Sequence, residues 1–243
     1  MNVTVKIKRY IPERQREAFF QNFTVEAEPT DRVLDVLVKI KENLDGSLAF
    51  RKSCAHGVCG SDAMRINGKD GLACKTLVRD VSAHEGEEIV IEPLAHFRVQ
   101  KDLIVDQGEF FQKYKSISPF LINDIPVEEK ERLQSPEDRE KYDDPTNCIL
   151  CGACFSACPI LDANADFLGP AMIAQAARFN DDSRDLGFET RLPVLDHANG
   201  VWPCNNHFAC TRACPRTIKI TKLINQTKRA IKKHKTDAPE KGA

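Results

Sequence analysis

Seven of the ten cysteines in this 243-residue chain fall in two short runs, Cys148-x2-Cys151-x2-Cys154-x3-Cys158-Pro159 and Cys204-x5-Cys210-x3-Cys214-Pro215. Thiolates at this spacing suit iron and sulfide. In runs of this form three cysteines wrap one cluster, and the fourth, followed by proline, reaches across to a second. By that rule Cys148, Cys151, Cys154 and Cys214 surround one cluster, and Cys158, Cys204 and Cys210 surround another. The first set has four thiolates and the second three. His207 stands three residues after Cys204, where the x2 pattern would place the missing cysteine. A cubane with one corner unheld can lose that iron, so the expectation is a 4Fe-4S site and a 3Fe-4S site.

The other three cysteines form a different pattern. Cys54-Ala-His-Gly-Val-Cys59-Gly-Ser-Asp62, followed by Cys74, matches the Cys-x4-Cys-x2-Cys…Cys spacing that holds a 2Fe-2S cluster, with Asp62 in the place of the third cysteine. Gly57 and Gly60 suit a loop whose backbone N–H groups must close on sulfide in conformations open to glycine. A carboxylate is a harder ligand than a thiolate. Asp62 is the expected fourth ligand, with Ser61 or another geometry as the alternative. His56 and His207 are expected to lie beside ligands rather than to be ligands.

Disulfides would call for an oxidising compartment, and the N-terminus shows no apolar segment behind a basic stretch, so thiols in a reducing compartment are expected. Zinc is the stronger alternative, because Cys-x2-Cys pairs commonly bind it tetrahedrally. Four cysteines at x2, x2, x3 before proline, repeated imperfectly some fifty residues on, fit it poorly. A zinc-stabilised interaction module would be colourless and would present a basic face. The net charge is −1, which argues against a general nucleic-acid binder, and no run of the sequence is apolar enough to span a bilayer. Lys228, Arg229, Lys232, Lys233 and Lys235 crowd the C-terminal end and are expected to form a solvated face, with a membrane-surface or partner contact as the other reading.

The elements that must position these residues divide in two. Val3–Arg9 alternates as a half-buried strand does, Phe19–Glu26 is its antiparallel neighbour across a turn around Pro12, and Val33, Leu34, Leu37, Val38 and Ile40 give a helix an apolar face to about Glu42, with Thr30 or Asp31 as its cap. The cluster loop follows, then strands at 63–66 and 88–92 separated by a turn at Asn67-Gly68. Residues 94–106 are predicted as a connector. Phe110, Phe111, Tyr114 and Ile117 have helical spacing and are expected in a core. The stretch 126–145 is predicted as a solvated helix and loop, and 170–179 and 218–233 as helices, the former with Met172, Ile173, Ala176 and Phe179 on one face. The fold class expected is α+β: a β-grasp domain similar to plant-type ferredoxins over 1–105, and an all-α ferredoxin domain over 106–243.

These features together resemble the iron-sulfur subunit of succinate dehydrogenase and fumarate reductase. The strings that carry the resemblance are Arg51-Lys-Ser-Cys54, Gly57-Val-Cys59-Gly-Ser-Asp62, Leu72-Ala-Cys74-Lys, Lys101-Asp-Leu-Ile-Val-Asp106, Cys148-Ile-Leu-Cys151, Gly169-Pro-Ala171 and Asp182-Ser-Arg-Asp185. The family includes members with aspartate at the position of Asp62. The Gly-Ser-Asp form with Ser-Cys-Ala-His-Gly is more similar to succinate dehydrogenases. The resemblance implies an electron-transfer subunit of respiratory complex II in the tricarboxylic acid cycle, with no catalytic acid or base of its own. Succinate would be oxidised on a partner flavoprotein carrying FAD, and electrons would pass through 2Fe-2S, 4Fe-4S and 3Fe-4S centres to a quinone beside membrane anchor subunits. It also implies a peripheral place on the cytoplasmic face of the inner (cell) membrane. Pro159, Ile160 and His207 adjoin the 3Fe-4S ligands and are the candidates for the quinone side. The quinone-linked succinate dehydrogenases of the family often carry tryptophan just after the Cys-Pro of the first run; this chain has Ile160-Leu-Asp-Ala-Asn164, and its only tryptophan is Trp202. The same relay serving a fumarate reductase or another flavin-linked dehydrogenase is the alternative.

Overall fold

The computed structural model describes all residues except 15, 16, 83, 85, 128, 129 and 238–243. Glu128 and Glu129, part of the predicted acidic stretch, thus lie outside the described residues. The chain divides into two compact units. The first comprises Met1–Gly108, Ile149–Ala157 and Ala213–Pro215, and the second Glu109–Cys148, Cys158–Arg212 and Arg216–Ala243.

The first unit is built on a five-stranded sheet of β1 (Asn2–Arg9), β2 (Phe19–Glu26), β3 (Ala63–Ile66), β4 (Lys69–Leu72) and β5 (Glu88–Glu92), in the order β2-β1-β5-β3-β4. β1 pairs antiparallel with β2, Val3 opposite Val25, and parallel with β5. Alternation along β1 turns Val3, Val5 and Ile7 into the core, where α1 (Val33–Asn43) contributes Val33, Leu34, Val36, Leu37 and Ile40. α1 starts otherwise than predicted. Arg32 is its N-cap residue, and the Asp35 carboxylate accepts the Arg32 N–H at 2.9 Å. Asp31 is instead engaged by the Glu28 N–H and the Lys39 ammonium. The turn at Asn67-Gly68 is present, with φ of 48° and 73°, the left-handed pair that a two-residue hairpin needs. A single turn, α2 (Val78–Val81), precedes β5.

The predicted connector is ordered as a hairpin of β6 (Arg98–Lys101) and β7 (Ile104–Asp106), turning at Asp102 with φ of 47°. That turn closes on Arg9, which the alternation of β1 carries inward to 0% exposure. Its guanidinium donates to Asp102 at 2.9 Å, Asp45 at 2.8 Å, Gln21 at 2.6 Å and Ser47 at 3.1 Å. Asp102 also accepts the N–H groups of Tyr10 at 3.0 Å and Ala49 at 2.8 Å, tying the strand, the hairpin and the start of the cluster loop to one buried charge pair. α6 (Ala153–Ser156) completes this unit. Ser156 accepts the Ala95 N–H and donates to Asp70, and Phe155 packs on Phe97.

The second unit is helical: most of α3 (Gly108–Ser116), then α4 (Pro136–Lys141), α5 (Asp143–Thr146), α7 (Ile160–Ala163), α8 (Pro170–Asn180), α9 (Phe188–Leu195), most of α10 (Ala209–Ala213) and α11 (Ile220–Asp237). Phe110 and Ile117 are buried as expected, whereas Phe111 is exposed. The predicted solvated helix resolves into α4 and α5, with Ser135 capping α4 through the Asp138 N–H. α8 buries every residue from Pro170 to Ala177 rather than a single face, since it packs on both α5 and α11. Arg191 on α9 is fully buried. It makes a two-point ion pair with Asp185, at 2.7 and 3.0 Å, and donates to the carbonyls of Ile117, Ser118 and Phe120, fixing the end of α3.

Candidate iron-sulfur sites

In the strand-rich unit Cys54, Cys59 and Asp62 lie on the loop between α1 and β3, and Cys74 follows β4, joined to that loop through Asp62. The Cys54 sulfur accepts the N–H groups of His56 and Cys59, each at 3.3 Å, and the Cys59 sulfur accepts the Cys54 N–H at 3.5 Å. Donation from the His56 backbone, then from Cys59 and Val58, pulls the Cys54 thiol down to about 6, a sulfur held ready as thiolate. Cys74 lies deeper. Burial, and then the Asp62 carboxylate, pushes its thiol up to about 12. Asp62 is buried, its Oδ2 accepts the Cys74 N–H at 2.5 Å, and its Oδ1 is buried with no hydrogen-bond partner. An anionic oxygen left unsatisfied in a buried place is costly unless something cationic meets it. A cluster iron would do so, and the donor set fits a 2Fe-2S group on that ground. The Ser61 hydroxyl lies 3.2 Å from the Cys59 sulfur, while the orphaned oxygen belongs to Asp62.

Gly60 shows why this loop needs its glycine. Its φ is +70°, and a Cβ there would stand 2.6 Å from the Cys151 Cβ. Cys151 and Cys154 are buried in the strand-rich unit, and Cys214 belongs to it too. Cys148 ends a segment of the helical unit, its N–H bonded to the Pro145 carbonyl at 3.2 Å. Leu150 and Gly152 have left-handed φ of 52° and 82°, and Gly152 is the residue from which α6 starts.

The helical unit gathers the third set. Cys158, Cys204 and Cys210 line one recess with Pro159, Ile160 and His207, and Phe167, Phe208 and Ile224 complete its apolar wall. Burial pushes the Cys158 and Cys210 thiols up, and negative charge on the neighbouring sulfurs adds to the rise. The Ile160 and Leu161 N–H groups pull against it at Cys158, as do the Thr221 hydroxyl and the Thr211 N–H at Cys210. His207 is exposed at the rim, and Asn206 and Phe208 on either side have left-handed φ of 61° and 59°. All ten cysteines are thiols, none joined in a disulfide.

A family model for a 2Fe-2S iron-sulfur cluster binding domain matches residues 4–112, and one for a 4Fe-4S dicluster domain matches residues 144–218. The fumarate reductase iron-sulfur subunit of Haemophilus influenzae is 38% identical over 93% of this chain and 91% of its own length. The succinate dehydrogenase iron-sulfur subunit of Coxiella burnetii is also 38% identical, over 92% of this chain and 94% of its own. The chain belongs to the family of succinate dehydrogenase and fumarate reductase iron-sulfur subunits. As a member it is an electron-transfer subunit of an enzyme complex, and its fold is the α+β pairing of a 2Fe-2S domain with a helical 4Fe-4S-type region. A chain of the Mycobacterium smegmatis Sdh1 complex, solved in the apo form, agrees with a TM-score of 0.86 at 26% identity, covering 97% of this chain and 98% of that one. Among the described residues no helix of this iron-sulfur subunit is long and apolar enough to cross a membrane.

Some neighbours of the sites escaped the sequence reading. Lys228, predicted only as part of a basic face, donates to the Cys204 carbonyl at 2.7 Å. Lys232 and Lys235 lie over the Trp202 ring, and Lys235 also pairs with Asp196. Thr221 meets the Cys210 sulfur from eleven residues away. None of these contacts has a spacing signal, because each depends on where α11 lies on the cysteine-bearing turns.

Proposed function

We propose that this chain is the electron relay of a succinate:quinone oxidoreductase. Cys54, Cys59, Asp62 and Cys74 hold a 2Fe-2S cluster, Cys148, Cys151, Cys154 and Cys214 a 4Fe-4S cluster, and Cys158, Cys204 and Cys210 a 3Fe-4S cluster. When bound, these groups supply one-electron storage between a two-electron reaction on a FAD-containing flavoprotein subunit and a quinone acceptor. The chain's own residues set the conditions. Backbone N–H groups steady the Cys54 and Cys59 sulfurs, and Asp62 presents its unpaired oxygen. Pro159, Ile160 and His207 border the recess on the quinone side, and membrane anchor subunits hold the complex to the cytoplasmic face of the inner membrane.

The observation that carries this reading is the recess in the helical unit. Three cysteines line it, and His207 stands at the position the spacing reserves for a fourth. Relatives named for either direction are equally similar, so fumarate reduction by the same relay is the second reading. Low-temperature paramagnetic resonance of the anaerobically purified complex tests both. The expected result is an oxidised-state 3Fe-4S signal, a succinate-reducible 2Fe-2S signal and a 4Fe-4S signal that needs dithionite. Stoichiometric zinc without these signals would overturn it. Signals that fumarate reoxidises far faster than succinate reduces them would favour the second reading.

A further inference from the structure

Thr221 sits near the start of α11 with 1% of its surface exposed. Its Oγ1 lies 3.6 Å from the Cys210 Sγ and 2.9 Å from the Thr211 Oγ1, and its N–H donates to the same Thr211 oxygen at 3.0 Å. A cluster-bound cysteine is a thiolate with no proton to give, so the hydrogens can be assigned. The Thr211 oxygen accepts the Thr221 amide and donates its own hydrogen to the Thr221 oxygen. The Thr221 hydroxyl hydrogen is then left for the sulfur.

We propose that Thr221 is a positioning residue for electron transfer, whose hydroxyl donates to the Cys210 sulfur and raises the reduction potential of the cluster held by Cys158, Cys204 and Cys210. The inference rests on the 3Fe-4S assignment made above. Reduction adds one electron and hence one negative charge to the cluster and its sulfurs. A fixed donor aimed at one of those sulfurs stabilises the more negative state, and hydrogen bonds to sulfur are among the features that set such potentials. Burial strengthens the effect, since no water competes for the sulfur and the local dielectric is low. The Ser61 hydroxyl near Cys59 makes a similar contact in an exposed place, where water substitutes readily. Thr211 holds the Thr221 hydroxyl in line, so the pair acts as an oriented relay rather than a freely rotating group.

The test is a potentiometric titration of the oxidised 3Fe-4S signal in the purified complex, native and in three variants. Thr221→Val keeps the shape and removes the donor. The one-electron reduction equilibrium is expected to shift about tenfold towards the oxidised form, equivalent to about 59 mV lower potential. Thr221→Ser is expected to keep the native potential, and Thr211→Val to lower it by less than Thr221→Val. The 2Fe-2S potential in the same samples is expected to stay fixed. A native potential in Thr221→Val would overturn the inference. So would loss of the signal in both valine variants, since the hydroxyls would then serve assembly rather than potential. Absence of the 3Fe-4S signal from the unmodified complex is read before any variant; it would overturn the cluster assignment itself, and this inference with it.

Discussion

The buried pair of Arg9 and Asp102 should show a strong energetic coupling that can be measured. Both side chains are fully buried, and their Nε to Oδ1 contact is 2.9 Å. Arg9→Met leaves Asp102 charged and unpaired in the core, a loss of about 3–5 kcal/mol by the general cost of breaking a buried ion pair. Asp102→Leu takes from the guanidinium its fully buried carboxylate, leaving it Asp45, Gln21 and Ser47, and also orphans the N–H groups of Tyr10 and Ala49, each worth about 1–3 kcal/mol when unsatisfied. The double variant removes both members of the fully buried pair and leaves Asp45 on Ser47. It should therefore be more stable than the sum of the single losses implies, by roughly 2 kcal/mol, within the usual range for contacting residues. Thermal loss of the visible circular dichroism of the 2Fe-2S chromophore at one fixed scan rate reports on this unit. At ~4 °C per kcal/mol for a domain of this size, each single variant should lose its signal about 12 °C or more below native. Single-variant losses of under about 3 °C, or losses that simply add in the double variant, would refute the reasoning.

Gly60→Ala should destabilise the same unit by about 2–4 kcal/mol, from the left-handed backbone and the clash with Cys151 together. Gly68→Ala, with φ of +73° and open space around it, should lose only about 1 kcal/mol, so equal melting losses for the two would count against the packing argument. His207→Cys should convert the oxidised-state 3Fe-4S signal towards a reducible 4Fe-4S signal, and full retention of the former would show that the second cysteine run is misaligned. Arg191→Lys should weaken the helical unit by about 2 kcal/mol or more, because one ammonium cannot span both Asp185 oxygens and three carbonyls. An unchanged protease sensitivity of that unit would contradict it.

Much of the fold was legible where one physical pattern governs a segment. The alternation of β1 and β2, the apolar stripe of α1 and the Asn67-Gly68 turn all follow from burial of one face or from a backbone that few residues adopt. The hairpin at Asp102 was hidden because its left-handed residue is not glycine and is held by a partner more than ninety residues away. α8 was read as one-faced because periodicity shows how apolar residues cluster, not how many neighbours a helix has. The cysteines announce their chemistry through spacing along the chain. What surrounds them is tertiary: the orphaned oxygen of Asp62, the hydroxyls of Thr211 and Thr221 and the reach of Lys228 have no linear signature.

The strand-rich unit is discontinuous, and this bears on how the protein is made. A ribosome releases Gly108 some forty residues before Ile149, so at about 5–20 residues/s the sheet waits roughly 2–10 s for the segment that contributes Phe155 and Ser156. During that interval Phe97, Asp70 and the glycine at position 60 lack the groups they later meet. A nascent chain can thus settle its sheet early but cannot finish the surroundings of its first cluster loop until the second cysteine-bearing region has emerged. The same geometry sets a rule for exchanging parts between relatives: a transplanted N-terminal module must bring residues 149–157 and 213–215 with it, or arrive with an open flank.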